Sequence, residues 1–483
     1  MSNTTVTWRP TVIWAGLPLF IGAVNEAGGA QALPAIGREF AVQVADLRWM
    51  ALAFVVADAA ILIAGARLGT VLGRRRVFMA GLLIFALSCI GSAASFNYPM
   101  LLTTRALAGV GAALFFSGIL AIITQAVPKE VLGRAFGLWA LVGAGAFMIS
   151  PLVGGVFTEL GNWRWIFVMN ALVAIAALAL TPRFFQPDSA EERGQLGDAR
   201  GFVSIAVTII ALTVGLAEAP TRGWTSPIVL LFILVGVVAV VAAFAFERRA
   251  VSPLVPAALF RDRGYLTGTA VITISYASAG AMVFAIPIVL SMADGLSPIA
   301  IGAIMLSYGV WWLVLPPFTG RLADRLSPVV MLTAGFASGL AGCLLATLVP
   351  SLQGIFGACC ALALLGIGMA LVVPTANRMT MLNIGAPLRG EASGVNMTSR
   401  LLGNLVGIAI VGTLIASNLG QRLPSIGEVT DVGSLATGLQ AIWIPVGVIM
   451  TLGIVVSALG SKGFSSQPVT IAEAEIGASE DRG

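Results

Sequence analysis

Gly65-Ala66-Arg67-Leu68-Gly69-Thr70-Val71-Leu72-Gly73-Arg74-Arg75-Arg76-Val77-Phe78 joins two long apolar runs, one ending near Ala64 and one beginning at Val77. Four arginines, Arg67 and Arg74 to Arg76, cannot sit in hydrocarbon, and short basic loops beside membrane spans stay on the cytoplasmic side. The glycines let a short turn pass close to neighbouring backbone, and the arginines can grip carboxylates or helix C-termini. A basic loop topping any pair of membrane helices would carry the same charges. The stretch therefore sets the environment first, and the architecture needs a second observation.

That observation lies about half a chain away. Gly320-Arg321-Leu322-Ala323-Asp324-Arg325-Leu326-Ser327-Pro328 aligns with Ala66 to Arg74 without a gap. The second copy keeps an aspartate and lacks the second glycine and the arginine run. An internal repeat at this separation is what a transporter made of two related bundles predicts. Together the copies resemble the loop after the second helix of the major facilitator superfamily, which reads G-x-L-x-D-x-x-G-R-[RK]-[RK]. The first copy matches at Leu68, Gly73, Arg74 and Arg75, with Gly69 between them. It departs at Thr70, where the family has aspartate, and at Ala66, where it has glycine. The resemblance implies a gating loop carried by Leu68, Gly69, Gly73, Arg74 and Arg75, with Asp324 as the acid of the second copy.

Composition agrees with a membrane environment. The 483 residues are 58% hydrophobic and only 10% charged, with mean hydropathy +0.97, against roughly 25% charged residues in soluble domains. The formal charge of +5 is accounted for by cytoplasmic loops and calls for no nucleic acid. Cys89, Cys343, Cys359 and Cys360 all fall inside apolar runs and read as small core residues, not as a disulfide framework or metal site. With no histidine in the chain, histidine proton relays and metal sites are excluded. The first apolar run reads as the first span and not as a cleavable signal.

Spans of roughly 20 apolar residues predict helices near 11–33, 47–66, 77–96, 99–127, 135–157, 164–182, 201–219, 226–246, 265–292, 297–318, 329–349, 354–376, 391–417 and 438–460. That makes fourteen, an all-α polytopic membrane protein with both termini on one side. Loops on the side of the termini hold Arg67, Arg74 to Arg76, Lys129, Arg134, Arg183, Arg193, Arg200, Arg248, Arg249, Arg261, Arg263, Arg321, Arg325 and Arg389. The opposite loops hold Arg38, Arg48, Arg164, Arg222 and Arg422. This bias predicts cytoplasmic termini in a cell (inner) membrane. The repeated loops follow helices 2 and 10, so helices 7 and 8 read as an insertion between two six-helix bundles. The expected divisions are 1–182 for the first bundle, 183–263 for linker and inserted pair, 264–460 for the second bundle, and 461–483 for a polar, disordered cytoplasmic tail.

Further fingerprints carry the resemblance along the whole chain. Asn162-Trp163-Arg164-Trp165-Ile166-Phe167-Val168-Met169-Asn170 is similar to the W-R-W-x-F-x-x-N start of helix 6 in the fourteen-helix drug:proton antiporters. Phe246-Glu247-Arg248-Arg249, Pro253-Leu254-Val255-Pro256 and Leu259-Phe260 match between helices 8 and 9. Arg389-Gly390-Glu391-Ala392-Ser393-Gly394, followed by Arg400 and Gly403, resembles helix 13, and Ala32-Leu33-Pro34 the end of helix 1. The chain is identified as a member of that family within the major facilitator superfamily. The implied fold is two six-helix bundles plus two inserted helices.

Burying a carboxylate in a bilayer costs several kcal/mol, from about 2.5 upward, so each intramembrane acid is a functional candidate. Mid-span, these are Glu26 in helix 1 and Asp58 in helix 2; Glu218, Asp294 and Glu391 sit at helix ends. Glu26 lies roughly 12 Å, and Arg105 of helix 4 about 9 Å, below the outer ends of their helices at 1.5 Å per residue. Arg105 with Gly109 and Gly111 matches the family's R-x-x-x-G-x-G, whose arginine is linked to proton exchange. The family's helix-1 aspartate falls at Asn25, next to Glu26. Either Glu26 binds and releases a coupling proton with Arg105 tuning its acidity, or the two form a permanent ion pair that locks helices together. Asp58 reads as a second protonation site, a substrate contact, or a residue bonded to small neighbours. In helix 5, Gly143 to Gly155 resembles the exporter pattern ending G-P-x-x-G-G, with Ser150 for the first glycine and then Pro151, Gly154 and Gly155; its alternative is ordinary small-residue packing.

The reading these residues favour is a proton-coupled exporter of hydrophobic or amphipathic compounds such as drugs, antiseptics or natural products. Its partners are a small-molecule substrate, protons and the lipid bilayer, with no nucleic acid and no cofactor, and a monomer is expected. The chain has no phosphate-cradling loop for ATP and no enzymatic constellation. An uptake carrier or uniporter for a metabolite is the alternative, kept open by the missing aspartates. A non-transporting membrane sensor is a third reading, against which the first loop's glycines and arginines count.

Overall fold

The computed structural model describes residues 8–126, 132–185, 199–223, 225–249, 259, 261–293, 296–315, 318–319, 322, 326–348, 355–382, 384, 389–418 and 432–460, apart from some side chains within them. In a bilayer every backbone N–H and C=O must be paired within the chain, which for apolar runs of this length leaves the α-helix. Among the described residues there are fourteen helices of sixteen residues or more. They are α1 (Trp8–Ala23), α2 (Val44–Leu72), α3 (Arg74–Ala93), α4 (Tyr98–Ala126), α5 (Leu132–Glu159), α6 (Arg164–Phe184) and α7 (Ala199–Arg222). The others are α8 (Pro227–Arg249), α9 (Arg263–Ala293), α10 (Pro298–Val314), α11 (Pro328–Leu348), α12 (Ile355–Leu382), α13 (Arg389–Asn418) and α14 (Val432–Gly460). Each predicted stretch overlaps one of them, the first running past α1 into the turns that follow it. Twelve helical stretches are long and apolar enough to cross a membrane, while α10 is a shorter apolar helix of 17 residues. At 1.5 Å per residue α2, with 29 residues, extends about 43 Å against a hydrocarbon core of about 30 Å.

The first span is not one regular helix. α1 runs into a π-helical turn, Val24–Gly28, then a single α turn, Gly29–Gln31, and a further short helix, Leu33–Phe40. The sequence pattern 11–33 gives no hint of this widening. Between α2 and α3 the chain reverses at Gly73, whose φ of +99° is a conformation that a side chain rarely adopts, which accounts for a glycine before the arginine run.

The chain divides into two compact units. One contains residues 1–196 and 296–309, and the other 197–295 and 310–483. In the first, α4 packs against both α2 and α3, α3 against α6, and α1 against α5. Two glycines of α4 make this possible: Gly109 abuts the Phe54 carbonyl of α2, and Gly111 abuts Phe85 and Gly81 of α3. The R-x-x-x-G-x-G pattern thus has a packing basis, because residues two apart on a helix face different neighbours. In the second, α9 packs against α12, α13 and α14, and α11 against α12 and α14. α7 lies against α8 and α13. α8 is almost wholly aliphatic and leaves Leu230, Leu231, Leu234, Val238 and Val241 exposed, the surface of a helix suited to lipid.

Two of the fingerprints meet in the second unit. Leu259 and Ala392 pack in one buried cluster with Tyr265 and Ile384. The Tyr265 hydroxyl donates to the Ala392 carbonyl at 3.1 Å, while Asp262 caps α9 by accepting the Tyr265 N–H at 2.6 Å. The tail 461–483, the 186–198 part of the linker, and Asp324 lie outside the described residues.

Candidate functional site

Arg105 is 3% exposed, and its neighbours come from three helical segments of the first unit. Its Nη1 donates to Asn25 Oδ1 at 2.6 Å and its Nε to the Met50 carbonyl of α2 at 3.3 Å. The guanidinium also lies 4.8 Å from the ring centroid of Phe54 in α2 and 5.7 Å from that of Phe167 in α6. Asn25, where the family's acid would stand, is thus the side chain that the structure sets on Arg105. It sits in the π turn, which packs against α5 and α6. A π turn adds a residue per turn locally and redirects the side chains on it; such turns are frequent at functional sites.

Glu26 is half-buried in the same turn, and its charge acts on both Arg105 and Asp58. Asp58 is 4% exposed, and its Oδ1 has no hydrogen-bond partner among the described residues. Its backbone lies against Gly109 of α4, one helical turn from Phe54. Asn170, three residues beyond Phe167 on α6, is fully buried with neither side-chain polar atom partnered among the described residues. In the sequence it marks only the end of the W-R-W-x-F-x-x-N fingerprint, because a neutral asparagine in an apolar run carries no charge signal. The result is a polar cluster inside an apolar unit, made of the Arg105 guanidinium, the Glu26 and Asp58 carboxyls and the Asn25 amide, with Asn170 one turn along α6 from Phe167. Such a cluster can exchange a proton or accept a substrate's polar group.

The helix-5 residues form the wall beside it. Gly154 abuts the backbone of Gly28 at the end of the π turn, and Gly28 also lies against the Ser150 carbonyl. Gly143 faces Leu19 of α1. On another side of α5, Gly155 meets the Pro298 carbonyl, and Gly302 meets Pro151 and Leu152. Each contact is a place where a Cβ would strike backbone or a branched side chain, so small residues here set the distance between α5, the π turn and α10. In the first loop Leu68 is half-buried, and Gly69 lies against Arg74, whose neighbour Arg75 is half-buried too.

At one end of the same unit, helix termini are tied by the W-R-W motif. Arg164 pairs with Glu39 at 2.6 Å and donates to the Ser95 carbonyl at 2.9 Å, while Trp163 Nε1 donates to Glu39 at 2.7 Å. The Arg164 hydrogen bond holds the Glu39 carboxyl below its usual pKa of 4.5.

Comparison with known proteins agrees with this architecture. The family model described as Major Facilitator Superfamily matches residues 17–408, and the chain belongs to that superfamily. It is an integral membrane transporter and not an enzyme. Among its relatives, the multidrug resistance protein Stp of Mycobacterium tuberculosis (strain CDC 1551 / Oshkosh) is 28% identical over 414 residues, covering 86% of this chain and 77% of that one. The tetracenomycin C resistance and export protein of Streptomyces glaucescens is 27% identical over 415 residues, with 86% and 77% covered. The methylenomycin A resistance protein of Bacillus subtilis (strain 168) is 26% identical over 382 residues, with 77% and 80% covered. In fold, the chain is similar to a crystal structure of a POT family transporter in complex with 5-aminolevulinic acid, at TM-score 0.66 and 16% identity, covering 93% of this chain and 96% of that one.

Proposed function

We propose that this transporter exports hydrophobic or amphipathic small molecules in exchange for protons, by alternating access across the cell membrane with both termini in the cytoplasm. The observation that carries the reading is the buried cluster of Arg105, Asn25, Glu26 and Asp58. A transporter that moved only neutral substrate downhill would have no need to hold two carboxyls and a guanidinium in a membrane-embedded unit, each at a cost of several kcal/mol. Export rather than uptake is supported by the small-residue wall of α5 and by relatives named for drug resistance and export.

The test is resistance in an efflux-deficient host carrying this chain, with and without a protonophore. Raised resistance to lipophilic antibiotics or antiseptics that the protonophore removes is expected. Resistance unaffected by the protonophore would leave export standing without proton coupling, and net substrate accumulation would replace export by uptake.

A further inference from the structure

A second charged centre lies in the other unit. Arg400 is the twelfth residue of α13 and lies about 9 Å, at 1.5 Å per residue, inside the apolar stretch Gly394–Ile415, within a hydrocarbon layer about 30 Å thick. Three helices supply its partners. Nη2 donates to Asn377 Oδ1 of α12 at 2.7 Å, Nε to Asn396 Oδ1 of α13 at 3.1 Å, and Nη1 makes a long contact of 3.5 Å to the Tyr276 hydroxyl of α9. The amides are held in turn: Asn396 Nδ2 donates to Thr380 Oγ1 at 3.0 Å, and that hydroxyl donates to the Asn377 carbonyl at 2.9 Å. Below Arg400 on the same helix, Gly403 and Gly407 press against the Thr273 and Ala277 carbonyls of α9. The arginine therefore stands on a tightly packed seam and does not hang from a loose one.

Among the described residues every acceptor on this guanidinium is neutral. Arginine cannot shed its proton in a protein and carries five N–H donors, of which these contacts use three, leaving one on each terminal nitrogen. Half-burying a full positive charge without a carboxylate is costly, whereas a fork of two free N–H groups matches the two oxygens of a carboxylate. Beside it, Tyr276 and Trp312 meet edge to face with centroids 6.4 Å apart, and the guanidinium lies 5.5 Å from the Tyr276 ring centroid. That is an aromatic surface adjoining a cation.

We propose that Arg400 is a substrate-binding residue, and that with Asn377, Asn396, Tyr276 and Trp312 it forms a site for the carboxylate of an aromatic organic acid. The proposal deepens the transport reading by naming a substrate class, and rests on it only in taking the ligand to be a transported molecule. The two acids and Arg105 of the first unit then serve the proton, and Arg400 serves the anionic end of the cargo.

Equilibrium binding to the purified full chain in nanodiscs, with no ion gradient, tests this with three probes of one shape: 2-naphthoate, 2-naphthamide and 2-naphthylmethylammonium. The native chain should prefer naphthoate to naphthamide by about tenfold or more, the range of a charge-assisted hydrogen bond. R400Q should abolish that preference. N377D keeps the arginine and the shape of its acceptor but supplies a carboxylate within the site, so it should also abolish the preference without unfolding the chain. No saturable binding of naphthoate by the native chain, or a naphthoate preference unchanged in N377D, overturns the proposal. So does a uniform loss for all three probes in both variants, which identifies Arg400 as a clamp between α9, α12 and α13. Because no gradient is applied, these outcomes are independent of the resistance assay, which alone decides export and coupling.

Discussion

At the residue scale the question is which side chain next to Arg105 carries the proton. Asn25 has the short contact, but an amide does not titrate in water's pH range, so it can hold the arginine without exchanging anything. Glu26, on the next position of the π turn, can. Glu26→Gln should therefore abolish pH-driven transport in proteoliposomes while substrate binding remains measurable, and Asp58→Asn should have a smaller or substrate-dependent effect. Placing the acid where the family has it, in the double variant Asn25→Asp with Glu26→Gln, should restore pH-driven transport, because the new carboxylate would take the 2.6 Å contact to Arg105. Full pH-driven activity of Glu26→Gln alone would remove this residue from the coupling step and make a uniporter the better reading. The adjacent pair Asn25-Glu26 was readable as the candidate. Which of the two meets the arginine was not, because it depends on the π turn, and a turn of Val24, Asn25, Glu26, Ala27 and Gly28 carries no signal separating π from α.

At the scale of elements, apolar length made the helices legible and said little about how their ends are joined. The W-R-W motif was visible as a pattern, yet its partner Glu39 lies more than a hundred residues away on the short helix after the first span, and only the fold brings them together. Because Glu39's pKa is lowered in the folded chain, the contact contributes stability that is fully present above the ordinary value near 4.5. It is lost as pH falls through the lowered folded value. With the Glu39 side chain 40% exposed, solvent screening limits the contribution to about 1 kcal/mol or less. Glu39→Gln should lower the thermal unfolding midpoint of the detergent-solubilised chain slightly at pH 7, and native and variant should converge at a pH below the lowered folded value. An equal difference at both pH values would mean that Glu39 acts through packing against Trp163 and not through its charge. The Arg400 cluster was hidden for a related reason: in the sequence Arg400 marks only the helix-13 fingerprint, and its partners Asn377, Asn396 and Tyr276 are neutral residues on three separate helices.

For the whole molecule, the number of crossings decides where every site lies with respect to the two aqueous phases. With fourteen crossings, Arg74 to Arg76, Arg183, Arg248, Arg249, Arg261 and Arg263 would share one side with the termini, against Arg38, Arg164 and Arg222 on the other, and such a bias orients membrane proteins with the basic side in the cytoplasm. The pair α7 and α8 is the critical part of the count. α8 exposes an almost wholly aliphatic surface, which water would not tolerate and lipid would, and Gly223 between the two helices is exposed with φ of +85°, as a tight turn at a membrane face requires. If both helices cross, a reporter fused after Gln195 should signal cytoplasm, one at Gly223 the outside, and one at the C-terminus cytoplasm again. The Glu39–Arg164 contact would then face the external medium, and its pH dependence would respond to external acid. A cytoplasmic signal at Gly223 would mean that the pair lies along the membrane without crossing it, and an external C-terminus would break the even count on which the whole orientation rests.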